Sequence, residues 1–123
     1  MKKKNAIKWL AEPTDKDYPA AESFLQLLYD AKTARAFTKK LRRADMAQFA
    51  AKDLLRASGT RIAQIQAYDW VTQHNEIEQG TPLSPLLLVR GKHARKLIVA
   101  DGFHRLCAVF AVDQDVVVPC KIV

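Results

Sequence analysis

A chain of 123 residues with 49% apolar and 27% charged side chains has the composition of one ordinary soluble domain, with room for a single hydrophobic core. No apolar run approaches the ~18 residues of a membrane span, and no apolar stretch or cleavage pattern follows the basic start at residues 1–4, so no membrane association and a cytoplasmic protein are expected. The net charge of +7 is lopsided: residues 1–61 hold fourteen Lys and Arg against seven Asp and Glu, residues 62–123 six against six, which suits an acidic partner for the first half or a merely basic surface.

Residues 1–18 read as irregular, broken by Pro13 and Asp15, with Lys2, Lys3 and Lys4 a frayed tail. A first helix is predicted from near Pro19, a residue suited to the first helical position, with Ala21, Phe24, Leu25 and Leu28 repeating at helical spacing. A second helix comes next, with Ala34, Phe37 and Leu41 as its apolar seam. Arg35, Lys39, Lys40, Arg42 and Arg43 lie on its other side. Residues 45–59 fit a helical turn and a short strand equally, and Gly59 ends them. A third helix is predicted over residues 67–79, with Gly80 placed to terminate it and Tyr68 and Trp70 suited to core or rim.

From Thr81 the texture changes. Residues 83–89 and 96–100 are short apolar runs that read as strands buried on two faces, joined through a turn at Arg90-Gly91-Lys92. Asp101-Gly102 breaks the second run. Residues 103–112 have helical spacing with Leu106, Val109 and Phe110 inward, residues 113–115 turn, and residues 116–123 form a last strand, in which Pro119 implies a sheet edge or a bulge.

The strand-to-helix turn Asp101-Gly102-Phe103-His104-Arg105 is where chemistry is expected. A helix start exposes unpaired N–H groups and the positive end of the helix dipole, which together favour an anion. Gly102 admits a close backbone approach, and Arg105 brings a guanidinium able to grip phosphate through two donors. His104 suits donation to the same anion or acid–base work, and Asp101 suits a helix cap, a hydroxyl or a Mg²⁺ ion. On composition alone the same five residues also suit an ordinary helix start with a solvated arginine. Cys107 and Cys120 form no disulfide framework or zinc pattern, the three histidines are scattered, and no metal site is expected.

Residues 81–123 resemble the ParB/sulfiredoxin-like superfamily. The resemblance rests on the apolar run 83–89, on residues 97–105 with their Gly-x-His-Arg turn, and on Val117-Val118-Pro119-Cys120, and it extends back to the stretch beginning at Lys52. It implies an α/β or α+β fold: a small mixed sheet in a ParB/sulfiredoxin-like core over residues 51–123, with residues 1–50 adding a tail and a helical hairpin, all within a single compact domain. It further implies that Gly102, Phe103, His104 and Arg105 bind a phosphate, with a nucleotide and Mg²⁺ as the expected cofactors and His104 and Asp101 as the catalytic candidates. Lys52, Asp53 and Arg56 become a polar rim, on an early strand beside the turn. Sulfiredoxins carry a catalytic cysteine where this chain has Phe103, so reduction of sulfinic acids is not expected.

Three functions stand open on these residues. The first is a nucleotide- or phosphate-ligand-binding domain, with phosphotransfer or nucleotide hydrolysis left undecided. The second is a DNA-associated accessory protein whose Arg35, Lys39, Lys40, Arg42 and Arg43 face contacts nucleic acid or an acidic protein. The third is a non-catalytic protein-interaction module.

Overall fold

Four leucine and valine side chains in a row, Leu86 to Val89, have no exposure to solvent at all. Successive strand side chains point to opposite faces, so such a run requires cover on both sides of its sheet. A computed structural model of the chain, which describes residues 7–61, 65, 70–91 and 96–123, has that arrangement. In chain order its elements are α1 (Asp17–Leu25), α2 (Ala31–Arg43), β1 (Ala47–Ala50), α3 (Ala51–Ala57), α4 (Val71–Gln79), β2 (Leu86–Arg90), β3 (Leu97–Asp101), α5 (Phe103–Val112) and β4 (Val117–Ile122). The fold is α+β, with an N-terminal helical pair and a small mixed sheet.

The strands lie in the order β1-β4-β2-β3. The outer pairs, β1 with β4 and β2 with β3, are antiparallel, and the central pair, β4 with β2, is parallel. On one face the helical pair packs Tyr18, Ala21, Leu25, Ala34 and Leu41 against Leu87, Val89 and Ala100. On the other, α3, α4 and α5 pack Leu54, Leu55, Ile77, Leu106 and Val109 against Leu86, Leu88, Val118 and Cys120.

Local chemistry explains the element ends. The carboxylate of Asp30 accepts the Thr33 N–H at 2.8 Å and caps α2, and that bond holds its pKa below the ordinary value. Gly80, at φ +76°, closes α4 as expected. A side chain at position 91 is excluded by the Lys96 carbonyl oxygen, which would lie 2.4 Å from a Cβ on Gly91. Lys121, almost fully buried in β4, donates its Nζ to the Arg42 carbonyl at 3.1 Å and so satisfies the C-terminal end of α2.

Several expectations are corrected. Helix α1 starts at Asp17, two residues before Pro19, and buries Tyr18, Ala21 and Leu25. Phe24 and Leu28 remain 41% and 54% exposed, although their spacing is that of an inward stripe. Residues 45–59 contain both candidates, the strand β1 and then the helix α3. Strand β4 lies inside the sheet, and Pro119 is tolerated there because pairing with β2 begins only at Cys120. Strand β3 is an outer strand, half-buried over Leu97 to Val99 rather than enclosed on both faces. The tail at Lys2, Lys3 and Lys4, the start of the third helix with Tyr68, and the turn residue Lys92 lie outside the described residues. Trp70 is half-buried and donates its Nε1–H to the Ile65 carbonyl at 3.0 Å.

Truncating a core side chain with no exposure removes its transfer energy and leaves a cavity. Leu88→Ala is therefore expected to cost about 2–5 kcal/mol in urea unfolding. Leu27→Ala, at a side chain 79% exposed, is expected to stay within about 0.5 kcal/mol of the parent.

Candidate functional site

Strand β3 ends irregularly. Leu88 is paired with Val99 and Leu87 with Asp101, so Ala100 is an extra residue without a counterpart on β2. Such a bulge bends the strand and re-aims the residues beyond it. The first residue past the strand is Gly102, at φ +104°, which serves as the N-cap of α5. A Cβ at Gly102 would stand 2.3 Å from Leu86 Cδ2 and 2.8 Å from Arg105 Nη2. The glycine is required twice, by its left-handed backbone and by Leu86 and the arginine folded back across it.

The Arg105 guanidinium donates through Nη2 to Asp101 Oδ2 at 3.0 Å and to the Pro85 carbonyl at 3.4 Å. Both partners of the ion pair are largely buried, with side chains 18% and 16% exposed. The Nε of Arg105 is buried with no hydrogen-bond partner. Arg105 thus braces the turn from beneath: it ties the end of β3 and the first turn of α5 to the segment entering β2. Asp17, at the start of α1, accepts the Thr14 N–H at 3.1 Å and the Ser84 hydroxyl. Its carboxyl also lies against that of Asp101. Burial, with the Asp17 carboxyl as a lesser contributor, raises the pKa of Asp101 above its ordinary value, against the opposing pull of Arg105.

Above this base the turn opens onto a cavity of about 770 Å³. One wall is Phe24, Leu28 and Tyr29 from the end of α1 and the turn after it, the opposite wall is Ser58 and Thr60 after α3, and the floor is β3 itself. Gly102, Phe103 and His104 close one end. His104 is exposed there, its ring edge-on to that of Phe103 at 5.9 Å. Asp101, Gly102, Phe103 and His104 line the cavity, while the Arg105 guanidinium is turned to Asp101 and Pro85 instead.

Other candidates sit elsewhere. Asp101 does not cap α5: Gly102 occupies the N-cap position, and the Asp101 carboxylate is turned to Arg105. Lys52, Asp53 and Arg56 lie on helix α3 rather than on a strand. Lys52 reaches Asp115 at 2.7 Å, past the far end of α5 from the turn, and Arg56 reaches Asp53 at 2.8 Å. Ser58 and Thr60, just beyond that helix, line the cavity instead, with their hydroxyls bonded to each other at 2.9 Å. Cys107 is fully buried and its thiol is pushed up to about 11 by burial, so it is packing rather than nucleophile.

The basic face of α2 is exposed at Arg35, Lys39, Lys40, Arg42 and Arg43. Arg42 stacks 4.4 Å from the Tyr18 ring centroid. Lys40, Arg42 and Arg43 occupy the last turn, where the helix dipole favours cations without any nucleic acid. Among the described residues no three His, Cys, Asp or Glu side chains cluster as a metal site, and no helix is long and apolar enough to cross a membrane.

Phe24, Leu28, Tyr29, Ser58 and Thr60 were not readable as site residues, since only the topology brings them to the turn. Comparison of the chain with family models, with curated proteins and with solved structures yields no match.

The raised pKa of Asp101 has a consequence for stability. Below its ordinary value of 3.8 the carboxyl is protonated in folded and unfolded chains alike, and its contribution is fully present. As pH rises, the unfolded chain ionises first, and the contribution is lost through the raised folded value. Asp101→Asn keeps an acceptor for Arg105 but cannot ionise. In urea unfolding from pH 4 to 7, the stability of the parent relative to this variant is expected to fall as pH rises; a constant difference would contradict the assignment.

Proposed function

We propose that the chain binds a nucleotide, or another ligand bearing a phosphate, in the cavity above the Asp101–Arg105 turn. The observation that carries this reading is the meeting of the α5 N-terminus with a cavity of about 770 Å³. That volume suits a ligand of nucleotide size. The resemblance of residues 81–123 to the ParB/sulfiredoxin-like superfamily supports the same ligand class.

Each residue then has a stated part. Gly102 and the backbone just beyond it receive the phosphate at the positive end of the helix. His104, exposed at the rim, donates to it or moves a proton during turnover. Arg105 acts through the turn: with its Nη2 already held by Asp101 and Pro85, it fixes the backbone that meets the anion and adds positive charge below it. The apolar walls at Phe24, Tyr29 and Leu97 cover the body of the ligand. Asp101 is engaged by Arg105, which makes it a poor Mg²⁺ ligand in this geometry. Any Mg²⁺ would accompany the nucleotide phosphates rather than occupy a protein cage.

The test is a thermal-shift titration with ATP, ADP, CTP, GTP and inorganic phosphate, with and without Mg²⁺, on the parent and on His104→Ala. A ligand at about 100 times its Kd adds about 2.7 kcal/mol. A shift with one nucleotide, reduced in the variant, is the expected result. Equal melting in every condition would contradict the proposal.

A further inference from the structure

The floor of the cavity is a strand edge rather than a sheet face. All five consecutive residues of β3, Leu97 to Asp101, line it. Alternate strand residues point to opposite faces, so a groove touched by every one of them runs along the edge. Among the described residues β3 pairs only with β2 and is the last strand of the sheet, which leaves the row of backbone groups on its other side without a strand partner. Natural sheets guard such edges with charge, proline or a covering segment. Leu97-Ile98-Val99-Ala100 contains none of the first two. Beside this edge stand Phe24 and Leu28, 41% and 54% exposed. They form an apolar wall where a helix end facing water would be expected to be polar.

We propose that this groove binds an extended peptide, which joins the sheet beside β3 as an added strand, apolar in its middle and acidic at its ends. Strand addition uses main-chain hydrogen bonds for affinity and flanking pockets for selectivity. The apolar walls define the middle of the peptide. Charge defines its ends: Lys96 stands at the start of β3, its side chain lying across Gly59, and the positive end of α5 with His104 stands at the other. Asp101, the carboxylate along the groove, is paired with Arg105. A second copy of the chain fits less well. Phe24, Leu28, Tyr29, Ser58 and Thr60 line the cavity along this edge, and side chains flanking both edges hinder their approach to the ~4.8 Å of strand pairing. The groove is the same cavity as the proposed phosphate site, so peptide and nucleotide compete for it, and the strand-edge argument stands without the nucleotide.

The experiment is selection of random phage-displayed peptides on the parent protein, with counter-selection on Leu28→Glu, a substitution at an exposed side chain that leaves both cores intact. Enriched sequences are expected to place apolar residues at alternate positions, with Asp or Glu at the ends. As synthetic peptides they should slow amide hydrogen exchange within residues 97–101. They should bind Leu28→Glu and Phe24→Glu roughly tenfold or more weakly, and fail to bind when alternate backbone amides are N-methylated. The proposal is overturned by peptides that tolerate N-methylation or protect another region. It is overturned equally if no peptide is enriched, whether or not the nucleotide shift is present, or if the protein forms a concentration-dependent dimer that Leu28→Glu dissolves.

Discussion

Over Leu86 to Val89, strand β2 has no solvent side. Leu86 and Leu88 enter the core built by α3, α4 and α5, while Leu87 and Val89 enter the one built by α1 and α2. Both helical layers are therefore needed before Leu86 to Val89 are all dry, and the N-terminal pair is a structural half of the fold rather than an appendage. The polar links obey the same logic. Lys121 closes the end of α2 from within β4, and Asp17 joins the start of α1 to Ser84 just ahead of β2. The turn after β3 inherits its position from this double packing, because Arg105 reaches back to the Pro85 carbonyl at the entrance of the same strand.

That dependence explains why Gly102 and Arg105 act as one unit. The arginine, with Leu86, occupies the volume that a Cβ at Gly102 would need, and its guanidinium opposes the upward pull of burial on the Asp101 pKa. The ion pair is mostly buried, and its two members hold each other in a place where either alone would be costly. The groups left lining the cavity include the start of α5, His104, the apolar Phe24, Leu28 and Tyr29, and Ser58 and Thr60. The turn can therefore meet an anion without rearranging the arginine beneath it.

Much of the fold was legible because its strongest signals were local. The unbroken apolar run of β2, the helical spacing of residues 103–112 and the glycine stop at Gly80 all match the observed elements. The departures come from constraints that the local sequence does not contain. Phe24 and Leu28 have the spacing of a buried stripe, yet the stripe actually used is Tyr18, Ala21 and Leu25. The two misplaced residues prove to be the wall of the cavity. Asp101 has the chemistry of an N-cap but sits one residue too early, since the left-handed Gly102 takes that position. Pro119 signals an edge, and the signal is satisfied within an interior strand because its neighbour on that side begins one residue later. In the site, Asp101, Gly102, Phe103 and His104 were adjacent in sequence and so could be found together. Tyr29, Ser58 and Thr60 come from distant segments and had no sequence signal.

The central claim is that the Gly102 end of α5 receives the ligand's phosphate, and the most direct measurement is the change in backbone amide NMR shifts of the ¹⁵N-labelled chain as ATP is added. The account predicts the largest saturable changes at Gly102, Phe103, His104 and Arg105, with smaller ones along Leu97 to Val99. Changes confined to the exposed basic residues of α2, or none at any amide, would contradict it.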